Sequence, residues 1–568
     1  MKYITALFIF LLPIKFATIA NVPEMPLWLF NSIFSLDIIL TQGFFPVSIF
    51  TACSAIILFL SLFKHDKGNN GKSSFTFLII IILLTLTSFI GIKNGSVNDY
   101  IWRQISYLFG VTSLAIAVYI QLKNDPKAKK VFIIAISLGT MISIIYGAYQ
   151  LFYGFEETRQ FYLAMEKKGT VFPGNFRSRV MENRVYSYFG MCNSFAGYLI
   201  LVMPLLIYSW KSYLKKFKFP KAINNFLIVS VLAFTLFILY HTGSRAALAC
   251  FAIGLIPFFI KLGKKGAFIG VISTGLITIL FFSMGRDLSS FNYRVDYWNS
   301  ALTIFTNNIG FGTGWGDFFH DYMTIKGLAN PEAPHTPHNL ILAFASQVGI
   351  LGLIASTLFI FYPIYIYLKN IKTQTWLQVT LISGWISWSL HSLSDFNLQI
   401  PASISVAIIM GMIYLFLIDR KLPAIKNFPL LQKISFIIIM ITTLFFANNI
   451  MNQDILLGEM KRLCDPKYKF LDETKSNNNK QIRDLLNKCS ENLPLSPFPY
   501  INVANYAISK NDIEFAELCI LRAIELAPEK GSLYYKLYYI QIRLGNKKDA
   551  QLNLRKAQLL FPHKYSHQ

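Results

Sequence analysis

The sequence predicts an all-α fold, a polytopic membrane helical bundle with a C-terminal soluble helical-repeat domain, and three observations point there. Hydrophobic residues make up 54% of the 568 and charged residues 14%, with a mean hydropathy of +0.46, which is the composition of a chain largely dissolved in lipid. Apolar stretches recur at close to bilayer length, and in lipid an open backbone must satisfy itself, which favours helices. After residue 450 the character changes: residues 451–568 are polar and charged, with a helical pattern and no stretch able to span a bilayer.

The first span is Tyr3–Ala20, with Lys2 before it and Lys15 within it. No clear small-x-small cleavage site follows, so it reads as a retained helix rather than a signal peptide. Further apolar stretches lie near residues 43–63, 74–93, 101–121, 131–151, 194–210, 225–241, 246–260, 267–284, 340–368, 377–394, 402–419 and 434–450. That gives about 13 spans of ~20 residues each. The apolar piece Trp28–Thr41 carries Asp37 and reads as re-entrant or interfacial.

Alternate loops set the orientation. Lys64/Lys67/Lys72, Lys123/Lys127/Lys129/Lys130, Lys211/Lys215/Lys216/Lys218/Lys221, Lys261/Lys264/Lys265, Lys369/Lys372 and Arg420/Lys421/Lys426/Lys433 fall on one side, against Asp66, Asp125 and Asp419. By the positive-inside rule that side is cytoplasmic, so the N-terminus lies inside. Loops 152–193, 285–339 and 395–401 and the tail then lie outside. The net charge of +24 is mostly topological, and nucleic-acid binding is excluded as a reading.

Within the tail a 34-residue period pairs Tyr500/Tyr534, Val503/Leu537, Ala516/Ala550, Leu518/Leu552, Ile520/Leu554, Ala523/Ala557, Leu526/Leu560 and Pro528/Pro562. A small residue at a helix crossing with apolar neighbours and a closing proline is the pattern of a tetratricopeptide-like hairpin. The domain boundary is placed at 450/451, with the tail either a folding cap or dimer contact, or a surface that recognises an acceptor. Of six cysteines, Cys53, Cys192, Cys250 and Cys519 read as small packing residues. Cys464 and Cys489 lie where an oxidising compartment would permit a disulfide.

The chemistry must come from the outward loops, and the longest polar interruption is Met284–Asn339. It holds Arg286, Arg294, Asp296, Asp317, His320, His335 and His338, more than a connection requires. Three groups stand out. His241-Thr-Gly-Ser-Arg245 sits at the outer mouth of a helix pair, where an arginine faces a polar cavity or snorkels to lipid phosphate. Tyr293-Arg294-Val-Asp296-Tyr-Trp298 begins an amphipathic segment, followed by the turn-rich Gly310–Gly316, whose glycines let backbone approach a bulky ligand. His335-Thr-Pro-His338-Asn339 leads into the next span. Pro337 separates the two histidines and no carboxylate brackets them, so no metal is assigned. With a reference pKa of ~6.5, a histidine at such a boundary suits general-base work, or is simply held by loop backbone.

The ordered motifs SRAAL, RxxxWxxAL, NIGFGTGWGDF and HNLIL followed by SQVGILGL resemble the O-antigen ligase and polymerase superfamily, bacterial inner-membrane transferases. RVYSYFGMCNSFAGYL, in which Cys192 stands before Asn193 where the family commonly has proline, and HSLSDFNLQIP, from His391 to Pro401, are similar to it too. Together these cover most of residues 130–450. The resemblance implies a donor glycan on undecaprenyl diphosphate, Arg245 and Arg294 on its diphosphate, and His338 as the base that activates an acceptor hydroxyl. Asn339 or Asp296 would orient the imidazole. Arg177, Arg179, Arg184 and His335 are supporting candidates. It implies no metal, no cofactor, inversion at the anomeric carbon, and a periplasmic active face with the C-terminal domain on the same side. The acceptor stays open among lipid A core, a second lipid-linked glycan unit (as in a polymerase) and a periplasmic protein, with a ligase favoured. Outside this class, a lipid-linked sugar transporter would need related halves and a midplane site, and a scaffold displaying the repeats would need no site. The sequence shows neither a duplication nor charges at the midplane.

Overall fold

The computed structural model describes residues 1–18, 45–63, 71–89, 99–167, 180–217, 219–283, 289–316, 318–326, 330, 332, 334–419, 429–464, 478–493, 496–528 and 530–561. Among them every regular element is a helix. The bundle comprises α1 (Lys2–Lys15), α2 (Val47–Leu62), α3 (Lys72–Thr87), α4 (Asp99–Asn124), α5 (Ala128–Tyr149), α6 (Phe155–Lys167), α7 (Cys192–Leu214), α8 (Lys221–His241), α9 (Arg245–Gly254), α10 (Ile256–Lys261) and α11 (Lys264–Ser283). It continues with α12 (Ser289–Asn307), α13 (Phe318–Ile325), α14 (Leu340–Val348), α15 (Ile350–Lys369), α16 (Trp376–His391), α17 (Pro401–Asp419) and α18 (Pro429–Cys464). The C-terminal region adds α19 (Asn478–Asn492), α20 (Phe498–Ser509), α21 (Ile513–Leu526), α22 (Gly531–Arg543) and α23 (Lys547–Leu560). The expected re-entrant piece 28–41 and Arg177, Arg179, Arg286 and Asp317 lie outside the described residues.

Among the described residues seven helical segments are long and apolar enough to cross a membrane: 101–124, 128–167, 192–217, 221–241, 350–369, 401–419 and 430–464. Helices α2 and α3 are apolar but shorter. On the outer faces of α3, α5 and α8, Leu83, Leu138, Ile145, Phe226 and Val229 are exposed, as lipid contact requires. Small residues let the helices close up: an added Cβ on Gly384 would lie 2.1 Å from the Leu201 carbonyl oxygen. The interior charges are matched. Arg103 of α4 is ion-paired with Asp454 of α18, which also accepts from Ser48 Oγ at 3.0 Å. Asp419 accepts from the backbone N–H groups of Ser73 and Ser74, both at 2.8 Å, capping α3 from another helix.

Two apolar runs read as single spans are broken. The run 246–260 divides into α9 and α10 at Leu255, just before Pro257. The run 340–368 divides into α14 and α15 at Gly349, with φ of +78°. The break is covered by the glycine-rich turn, since Thr313 N and Gly314 N donate to the Ser346 and Gln347 carbonyls and Ile350 N donates to Ile309 O. An added Cβ on Gly312 would lie 2.2 Å from the Gln347 carbonyl carbon. These glycines therefore bring backbone against the end of α14, satisfying carbonyls that the helix leaves open, where a ligand contact was expected.

The expected boundary at 450/451 falls inside a continuous helix. Helix α18 puts Phe436, Met440 and Ile450 in the bundle core and Leu456, Leu457 and Met460 in the C-terminal core, so no linker separates the two. The C-terminal region stacks two hairpins, α20–α21 and α22–α23. The period-related alanines Ala516, Ala550, Ala523 and Ala557 are all fully buried where the helices cross. Cys464, Cys489 and Cys519 are buried in that region and form no disulfide with one another.

Candidate active site

The stretch before α14 is strapped to the end of α16. Leu340 N donates to Ser392 O at 2.9 Å, and the Asn339 amide donates to Leu393 O at 2.9 Å. The same Asn339 side chain accepts from Leu342 N at 3.0 Å as the N-cap of α14. Held between Pro337 and this cap, His338 takes φ of +54°, a left-handed conformation uncommon for a residue with a Cβ. Its ring meets Phe396 edge-on at 4.8 Å and lies 5.6 Å from Tyr297. Nδ1 is buried without a hydrogen-bond partner. Burial pulls the imidazole pKa down to about 4; Asp395 works against that shift, Arg294 adds to it, and Glu332 opposes it. His338 is thus neutral at pH 7.

Helix α12 packs along α14 and carries Arg294 and Tyr297 one turn apart, on one face. The Arg294 guanidinium stands 3.7 Å from the Asp395 carboxylate, whose side chain is 1% exposed. The other Asp395 oxygen accepts from Phe396 N at 2.8 Å. Asp395, Arg294 and neutral His338 therefore form one polar cluster at the end of α16, and His391 nearby is bonded through Nδ1 to the Asn397 amide at 2.9 Å. The two residues expected to orient the imidazole are engaged elsewhere. Asn339 caps α14, and Asp296 accepts from Tyr322 Oη at 2.7 Å and Asn330 Nδ2 at 2.9 Å. Tyr297 donates to the Glu332 carboxylate, and Lys326 donates to the Glu332 carbonyl at 2.9 Å. This network holds Tyr322, Lys326, Asn330 and Glu332 against α12.

Arg245 begins α9. An added Cβ on Gly254 would meet Ser387 and Ser383, while Lys261 reaches Gln374 O at 2.6 Å, so α9 and α10 run antiparallel to α16. Arg245, at the opposite end of α9 from Gly254, therefore lies toward the His391 end of α16. Arg184 braces the turn that presents it. The Arg184 Nε donates to Thr242 O at 3.1 Å and its Nη2 donates to Asn193 Oδ1 at 3.4 Å. Gly243, at φ of +67°, admits that approach, since an added Cβ would lie 2.8 Å from Nε. Arg184 thus shapes the Arg245 turn.

A cleft opens beside the cluster, lined among others by Gln104, Trp315, His335, Asn339, Gln347 and Asp395. His335 stacks on Phe319 at 4.8 Å, and its pKa is lowered by burial and then by Lys530. Among the described residues no three His, Cys, Asp or Glu side chains gather as a metal site would require.

Residues 228–356 match a family model described as O-antigen ligase. That segment belongs to the O-antigen ligase superfamily. A comparison with curated proteins gives no match. The ligase segment holds Arg245, Arg294, Asp296, His335, His338 and Asn339 and ends before Asp395; Arg184 precedes it. The family indicates glycosyl transfer of the O-antigen ligase or polymerase type, on lipid-linked glycan in a membrane setting. Reading the sequence missed Asp395, Tyr297 and Glu332 as members of the site. Asp395 stood within HSLSDFNLQIP, but nothing in its spacing shows that the end of α16 would meet α12.

Proposed function

We propose that this protein is an O-antigen ligase, moving glycan from undecaprenyl diphosphate to a hydroxyl of the lipid A core on the periplasmic face of a bacterial inner membrane. The observation that carries the reading is a neutral, backbone-strained His338 beside Arg294, both within the ligase-family segment, with buried Asp395 facing Arg294.

Arg294 and Arg245 neutralise the donor diphosphate, since guanidinium forks match phosphate oxygens and counter the charge that grows as the anomeric C–O bond breaks. An imidazole with a pKa of about 4 is a weak base in the free enzyme. The arriving diphosphate offsets the field of Arg294 and adds negative charge nearby, which raises that pKa when the base is needed. His338 takes the acceptor O–H proton, the oxygen attacks the anomeric carbon, and the bond to the diphosphate breaks, its electron pair leaving with undecaprenyl diphosphate. In-line attack inverts the anomeric centre. Tyr297 and Phe396 hold the ring, and Asp395 stabilises the imidazolium that forms. The residues supply base and electrostatics themselves, so transfer proceeds without a metal.

The test is glycan transfer by purified protein in proteoliposomes with EDTA, offering lipid A core, a second lipid-linked glycan or a periplasmic protein as acceptor. The expected result is an inverted product on lipid A core. Product only on a second glycan unit or on protein would make the enzyme a polymerase or a protein transferase. Donor crossing the bilayer without transfer to any acceptor would overturn the enzyme reading.

A further inference from the structure

The C-terminal hairpins press on the site loop. Tyr534 of α22, Ala557 of α23 and Phe561 just beyond it share one buried core with Phe318, Tyr322 and Met323 of α13 and Tyr297, Ala301 and Ile304 of α12. Phe561 meets Phe319 edge-on at 5.8 Å, and Phe319 in turn stacks on His335 at the cleft wall. By a second route the same core reaches Tyr297, whose ring lies 5.6 Å from His338. Helix α13 is eight residues long, well below the ~12–15 at which a helix holds itself in water. Its apolar face is covered by α12 on one side and by the repeat domain on the other, and the unbroken α18 fixes that domain to the bundle.

We propose that the C-terminal domain is a wall of the transfer site, in which Phe561 and Tyr534 are positioning residues that hold α13, and through it His335 and Tyr297, in register with His338. The proposal rests on the transferase reading and adds a role for the repeat domain within the same chain. Loss of an aromatic anchor loosens α13 without touching the arginines that bind donor. The cost therefore falls on the chemical step and not on donor capture, because small misplacements of reacting groups are costly.

The experiment compares full-length wild type, Phe561→Ala, Phe561→Leu and Leu552→Ala in proteoliposomes, by amide hydrogen exchange of residues 318–326 and by kcat and donor KM for transfer. Leu552 lies on α23, the helix that leads to Phe561, but is 64% exposed. Phe561→Ala should speed exchange in 318–326 about tenfold and lower kcat about tenfold with donor KM unchanged; Phe561→Leu should recover most of both, and Leu552→Ala should change neither. Wild-type exchange and kcat in Phe561→Ala would overturn the proposal. If that variant unfolds the repeat domain, Phe319→Ala reads the same contact from the loop side, and normal kcat there overturns it equally. The exchange measurement needs no substrate, so a wild type that transfers nothing sinks the transferase reading while the coupling is still decided.

Discussion

In the repeat domain, Ala516 and Ala550 are equivalent by the sequence period and equally buried, and each helix hides its apolar face against the next. Around the site, a histidine sits at φ of +54° and a glycine at +78° splits an apolar run. There too the imidazole Nδ1 is buried without a partner, and a buried carboxylate faces an arginine at 3.7 Å. The first region keeps to local rules apart from Asn511 at φ of +62° in a helix-helix turn, while the other breaks several within a few residues. Strain and unmatched polarity persist only where surrounding structure enforces them, so the contrast supports the proposed site and divides the expected consequences of mutation.

The largest effect is expected from the charges. Replacing Arg294 or Arg245 with Ala should cost ~10²-fold or more in kcat/KM, with Arg294→Lys recovering only part, because a point charge lacks the fork. Equal activity of both alanine variants would erase the distinction between the two regions. Gly349→Ala comes next. Its Cβ would lie 2.6 Å from the Gly310 and Ile309 carbonyl oxygens at a φ that disfavours side chains, so stability should fall by about 1–3 kcal/mol, read by thermal unfolding in detergent.

The pH dependence sharpens the contrast further. His338 acts as a base only when neutral, so kcat/KM should fall as pH drops through about 4. The acid limb of kcat, which reports donor-bound enzyme, should lie higher, displaced by the diphosphate toward the ~6.5 of a free imidazole. The same group affects stability. Its folded pKa lies below the unfolded value, so stability is full above ~6.5 and declines as pH falls from there toward about 4. Coincident limbs for kcat and kcat/KM would contradict coupling between donor and base. Smallest of all, Leu552→Ala on the exposed face of α23 should change stability by no more than ~0.5 kcal/mol.

The helical class and the membrane character were legible because each rests on periodicity or composition. Arg245, Arg294 and His338 were legible as motif residues in polar loops. The breaks at Leu255 and Gly349 were not, because apolar side chains continue through both and only the backbone departs. Asp395, Tyr297 and Glu332 were invisible for another reason: Arg294 and Tyr297 of α12 meet Asp395 past the end of α16 and Glu332 only through tertiary register. The glycines of Gly310–Gly316 signalled close approach correctly but not what they approach, which is the end of α14. Likewise, the change in hydropathy at residue 450 falls inside α18 and does not end the helix.

The most direct test of His338 as the base is to measure, on one preparation of His338→Ala, both the single-turnover rate of glycan transfer and the affinity for lipid-linked donor. The account predicts a rate loss of ~10²–10⁴-fold with donor affinity unchanged. Transfer at the wild-type rate, or a fall in donor affinity as large as the fall in rate, would contradict it.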